Sequence, residues 1–395
     1  MIDLAAISTD LAWPVTILVA WLAGEYGHRW AGLPRISVYA IVGFVLASTQ
    51  LGLLPRTSSD PMLLLANIAF GLILYESGYR FNLRWLRHNP WLGVTSVVEA
   101  ALTFGAVYAV VRWFDLPVST ALLLATLSMA TSPAAIVRVI NEQRSSGQVT
   151  ERSLHLSVLN CVLTVFAFNV IVGLVVFQTS GSIGQAVYSS LIVLAASVVL
   201  GACFGVLMPA LLRALGRTDH DSTLAFAVAV ILLVTLTHSL KLSPVLATLT
   251  FGLVSRHRRI VLNSSQRSFG ALGHLLSVLL FVFIAATLDW AQVLAGLKLG
   301  LIIIAVRLIA KMIGISAFAH VSGISWRKGV LLGMAMTPIS VFVILVLEQT
   351  RYLGIDLTGQ LASLAAAALV LEILGPILFQ RALIWAREVP HRKES

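Results

Sequence analysis

Runs of about 20 apolar residues, each long enough to cross the hydrocarbon core of a bilayer, follow one another along almost the whole chain. Only short polar interruptions separate them. Of the 395 residues 58% are hydrophobic and 11% charged, and the mean hydropathy is +0.93. A soluble domain of this length could not hide so much apolar surface. The fold class expected is an all-α integral membrane protein. Thirteen spans are predicted, near 11–28, 36–54, 62–79, 91–112, 118–140, 153–177, 184–212, 222–240, 243–255, 271–288, 293–320, 329–348 and 358–385. The segment 243–255 is short and opens on Ser243-Pro244. The N-terminal MIDLAAISTD has neither a basic leader region nor a cleavage site, so the first span is expected to stay, and no soluble domain is expected beside the membrane part.

The net charge of +10 does not point to nucleic acid, because the positive residues lie in the loops between spans. With the N-terminus outside, nineteen of the 27 Lys and Arg fall in loops on the cytoplasmic side and five, Arg56, Arg112, Lys241, Lys298 and Arg351, on the other. That asymmetry is the positive-inside pattern, and it places the C-terminus in the cytoplasm. Three remain within spans: Arg138, Arg307 and Lys311. Cys161 and Cys203 both lie in apolar runs and form no disulfide pattern or metal spacing. No enzyme activity, cofactor or resident metal is expected.

Two spans are interrupted. MATSPAAIVRVI at 129–140 carries Thr131, Ser132 and Pro133, and MAMTPISVFVIL at 334–345 carries Thr337 and Pro338. Proline removes a backbone donor and clashes with the preceding turn, so each step breaks its helix at bilayer depth. Polar atoms and a broken helix are expensive there and therefore candidates for function. Paired interrupted spans in the two halves of a chain point to an inverted-repeat transporter with its site near the midplane. The plain alternative is two kinked structural helices.

Few ionisable groups lie inside the spans. Glu76, in GLILYESGYRF, is either a helix-end carboxylate paired with Arg80 four residues on, or a carboxylate that holds a cation or a proton. Glu99, in VVEAALTF, is part of the same interior network or a partner of a buried hydroxyl; Glu25 and Glu372 read as structural. Arg307 and Lys311 lie four apart and project onto one helix face. They either neutralise carbonyls exposed at the 336–338 break, or include a lysine that exchanges its proton as a cation enters. Ser157, Asn160, Cys161 and Thr164 make one polar stripe on a helix. Such stripes often join helices, but Ser157, Asn160 and the oxygens freed at Thr131 and Ser132 would also suit a hard monovalent cation.

With these residues in view, the chain resembles the monovalent cation:proton antiporter superfamily over nearly its full length. GLPRISVYAIVGFVLASTQLGLL resembles the family's second span, and LYESGYRFNLRWLR the third span of the sodium/proton exchanger branch, where a glutamate matches Glu76. ATSPAAIVRVINEQ resembles the crossing helix of the branch with the glutathione-gated potassium efflux systems, and LIAKMIGI holds Lys311 where the family keeps a basic residue. The resemblance implies inverted repeats with two broken crossing helices, alternating access and a homodimer. It divides the chain into core helices, roughly 62–177 and 271–385, and dimerisation helices, roughly 11–54 and 184–255. It departs at one place. Where the family carries Asn-Asp or Asp-Asp, this chain has Asn160-Cys161, and where the exchanger branch has a glutamate it has Leu156. A carboxylate can hold either H⁺ or a cation; a thiol, with a reference pKa of about 8.5, is a poor substitute.

The function expected is exchange of Na⁺ or K⁺ for H⁺ in a plasma (inner) membrane, with Glu76 as the titrating group. Two alternatives stand beside it: a homologue that has lost exchange and serves as sensor, partner or passive pathway, and a transporter of another solute, such as an anion held by Arg307 and Lys311.

Overall fold

The computed structural model describes residues 4–55, 60–176, 183–214, 222–258, 264–345 and 362–390, and among them there is no strand. The helices are α1 (Leu4–Ala31), α2 (Arg35–Leu46), α3 (Asp60–Arg80), α4 (Leu83–His88), α5 (Pro90–Trp113), α6 (Val118–Met129), α7 (Pro133–Gln143) and α8 (Gln148–Val176). They continue with α9 (Ile183–Ala214), α10 (Ser222–Ser239), α11 (Pro244–His257), α12 (Ser264–Arg267), α13 (Gly270–Ala286), α14 (Trp290–Ala317), α15 (Trp326–Ala335) and α16 (Ala362–Trp385). Each of the thirteen predicted segments contains helix, and eight described stretches are long and apolar enough to cross a membrane. Residues 177, 346–348 and 358–361 of the predicted spans lie outside the described residues, as do Arg56, Arg217, Arg259, Arg351, Arg392 and Lys393 of the charge pattern.

Two of the hydroxyl-Pro steps act as helix starts. Pro133 and Pro244 open α7 and α11, where a missing N–H costs nothing. The preceding serines cap those helices: Ser132 Oγ accepts from Ala135 N at 3.1 Å, and Ser243 Oγ from Leu246 N at 3.4 Å. The span over 118–143 is thus two helices with an extended step at 130–132. In the second broken span α15 stops at Ala335, residues 336–340 are non-helical, and helix resumes at 341.

The helices pack in two groups. One contains α5–α8 with α14–α16, and the other α1–α3 with α9–α11 and α13; they meet where α3 touches α7, α8 touches α9, and α2 touches α16. Helices α3 and α13 therefore pack with the group expected as scaffold, rather than with the core to which 62–177 and 271–385 would assign them. The sequence boundary followed the run of the chain, whereas α3 is committed by its long seam with α11. That seam is close because glycines face it from both helices: a Cβ at Gly78 would clash with Leu249 O, and one at Gly252 with Tyr75 O. On the other side of the fold, Gly375 of α16 lies against the second break, where a Cβ would come 2.7 Å from Pro338 Cα.

Candidate functional site

The two breaks meet back to back. Ser132 N donates to Pro338 O at 3.0 Å, and Thr131 Oγ1 to Met336 O at 3.4 Å. Ending α6 and α15 at bilayer depth leaves carbonyls without intrahelical donors, and the negative ends of both helix dipoles point into the gap. Arg307 of α14 fills it. Its Nε donates to Ser128 O (2.8 Å), Nη1 to Thr337 O (2.5 Å) and Nη2 to Ala130 O (2.7 Å). Longer contacts of 3.5 Å reach Met336 O and Pro338 O. Only the fixed fork of a guanidinium can serve carbonyls from two chain breaks at once. The side chain is 1% exposed, and the carbonyls occupy its donors, so Arg307 is a strut and not a free anion holder.

One turn on, Lys311 has different partners. Its ammonium makes an ion pair with Glu99 Oε1 and donates to Met129 O at 3.1 Å, at the end of α6. Glu99 Oε2 accepts from Asn160 Nδ2 at 2.7 Å, and Oε1 lies 3.4 Å from the Thr103 hydroxyl. Asn160 is oriented by Ser96 Oγ, which donates to its Oδ1 at 2.9 Å, and its Nδ2 also reaches Thr131 Oγ1 at 3.4 Å. Glu99, Asn160 and Lys311 are all completely enclosed. Helices α5 and α14 approach closely enough for the pair because position 314 is glycine: a Cβ there would lie 2.9 Å from Glu99 Cα. The result is one buried carboxylate, one buried ammonium, and hydroxyl, amide and carbonyl oxygens around them. A buried charge with no partner is costly, so removing either member of the pair would leave the other without its counter-charge.

Thr131 and Asn160 join the Glu99–Lys311 cluster, and Ser132, Thr337, Pro133 and Pro338 form the crossing beneath it. Ser157 is buried but donates to Leu154 O of its own helix at 2.9 Å. Cys161 is buried beside the Ser340 hydroxyl. Glu76 does not enter the cluster. It receives Arg80 Nη2 at 2.9 Å and Asn141 Nδ2 at 2.9 Å, with Arg138 Nη1 at 3.9 Å, near the far end of α7. Its i,i+4 pairing with Arg80 is the local one visible in the sequence. Glu99 is the residue whose partners the sequence did not reveal. A lone carboxylate within the apolar run of α5 was the available signal, but its partners lie 61 and 212 residues away along the chain.

The sequence matches the family model described as sodium/hydrogen exchanger, transmembrane, over residues 15–385. The fold is similar to that of the sodium proton antiporter MjNhaP1 from Methanocaldococcus jannaschii. In the structure of that protein at pH 8 the TM-score is 0.70 at 15% identity, over 95% of each chain. In its electron-microscopy map the TM-score is 0.71 at 16% identity, over 98% of this chain and 97% of that one. No curated protein sequence matches the chain significantly.

Proposed function

We propose that this chain, which belongs to the sodium/hydrogen exchanger family, exchanges one Na⁺ or K⁺ for one H⁺, with Glu99 and Lys311 as the exchanging pair. The observation that carries this reading is the enclosed Glu99–Lys311 ion pair, in contact with Asn160, where two broken helices cross. Lys311 holds two oxygens, Glu99 Oε1 and Met129 O, that suit a hard monovalent cation equally well. Thr131 Oγ1 adds a further oxygen nearby, held by Asn160, whose Nδ2 bridges it to Glu99 Oε2 while its Oδ1 accepts from Ser96. Two positive charges competing for one buried carboxylate repel by about 4 kcal/mol at about 4 Å and an effective dielectric of about 20. That is roughly a thousandfold in occupancy, so arrival of the cation expels the proton from Lys311, and protonation of Lys311 expels the cation. The pair is neutral in both loaded forms, and the exchange moves no net charge. On this reading Glu99 supplies the carboxylate that Asn160-Cys161 lacks. The molecule works as a homodimer in the plasma (inner) membrane with its arginine-rich face in the cytoplasm.

Proteoliposomes that hold the purified protein and a pH-sensitive dye test the proposal. Addition of Na⁺ or K⁺ should dissipate an imposed pH gradient with saturable dependence on the cation. A gradient that survives both ions, with protein folded by thermal unfolding, would remove exchange as the function.

A further inference from the structure

Away from the helix crossing, a cavity of about 1090 Å³ opens among the ends of α1, α3 and α7 and the starts of α2 and α13. Its wall carries five arginines, Arg35, Arg80, Arg138, Arg144 and Arg267, against a single carboxylate, Glu142. That carboxylate is already engaged by His28 at 2.5 Å and Arg35 at 3.4 Å. Arg80 is held from behind the wall by Glu76, and Arg35 also by Glu25 at 3.0 Å. Arg138 is different. It is 6% exposed, donates one bond, to Gly273 O at 3.3 Å, and leaves Nε and Nη1 without a hydrogen-bond acceptor. The nearest carboxylate oxygen, Glu76 Oε2, is 3.9 Å from Nη1 and is itself without a hydrogen bond. On the same wall the buried Ser145 hydroxyl and Arg80 Nε also lack partners. Water can satisfy such donors but cannot offset the surplus positive charge, which an anion does.

An adjoining cavity of about 710 Å³ shares Arg35, Tyr39, Ala271 and His274 with the first and continues between α1 and α13. Apart from Glu25, which Arg29 and Arg35 hold, its wall there is apolar: Ile17, Leu18, Trp21, Leu275 and Val278. We propose that the basic cavity binds a phosphate group through Arg138, Arg144 and the Ser145 hydroxyl. The apolar continuation fits the acyl chain of an anionic phospholipid that carries this phosphate. Guanidinium groups match phosphate oxygens in geometry as well as charge. Basic pockets between membrane helices are where anionic headgroups settle.

Native mass spectrometry of the full chain in detergent tests this, with phosphatidylglycerol and phosphatidylcholine supplied in equal amounts. The wild type should retain phosphatidylglycerol about fivefold over phosphatidylcholine, the preference expected of one well-placed arginine. Arg138→Gln should bring the ratio close to one. Because Arg138 is buried, Arg144→Asn is the second variant: Arg144 is exposed, and asparagine tolerates its left-handed backbone (φ 49°). It should lower the ratio without loss of thermal stability. A parallel arm adds inorganic phosphate, with chloride at matched ionic strength as control. A phosphate-specific rise in melting temperature without lipid preference would keep the site but assign it to a soluble phosphate compound. Neither a lipid preference nor a phosphate shift, or a preference unchanged in both variants, would overturn the proposal.

Discussion

At the level of single residues, Arg307 and Lys311 look alike in sequence, four apart on one face, yet do different work. Arg307 closes two helix breaks and Lys311 faces a carboxylate. The sequence left the two undivided because the carbonyls that claim Arg307 come from Ser128, Ala130 and Thr337, which lie far from it along the chain. The division has a measurable consequence. Arg307→Ala strands several buried carbonyls and should cost at least about 3 kcal/mol, seen as a large fall in melting temperature. Arg307→Lys should recover little of it, since one ammonium cannot span carbonyls on both breaks. Glu76 and Glu99 form a second contrast. The pairing of Glu76 with Arg80 was readable from i,i+4 spacing, whereas the partners of Glu99 depend on which helices pack together.

At the level of helices, most of the fold was legible. The apolar runs marked where helix occurs, and the hydroxyl-Pro steps at 131–133 and 337–338 marked the breaks, whereas Pro14, Pro209 and Pro376, with no hydroxyl residue directly before them, sit inside continuous helices. What the sequence could not supply was helix neighbours: α3 packs on α11 and α13 on α2, contacts that the order of the chain does not show. Neighbour choice rests on small residues whose value shows only in contact. Gly314 is such a case: Gly314→Val would press a side chain onto the Glu99 backbone and push α5 from α14. That variant should lower thermal stability and weaken exchange together. Ser132→Ala is milder. It removes the N-cap of α7 and should cost about 1 kcal/mol while leaving the crossing in place.

At the level of the whole molecule, the two helix groups meet along α3 with α7, α8 with α9, and α2 with α16, and the enclosed pair lies in one of them. A site wholly within one group can be carried by that group as it moves against the other. The one-for-one competition proposed for that site predicts a pH dependence. On the acid side, the cation concentration for half-maximal exchange should rise about tenfold for each unit fall in pH, and the initial rate should be insensitive to membrane potential. The choice of Glu99 as the exchanging carboxylate is tested most directly by pH-gradient-driven cation flux in liposomes, with wild type, Glu99→Gln, Glu76→Gln and Cys161→Ser side by side. Flux should fall at least about a hundredfold in Glu99→Gln and stay within about threefold of wild type in the other two, the fall equal to roughly 2.7 kcal/mol at 1.36 kcal/mol per tenfold. Wild-type flux in Glu99→Gln, or its loss only in Glu76→Gln, would contradict the assignment.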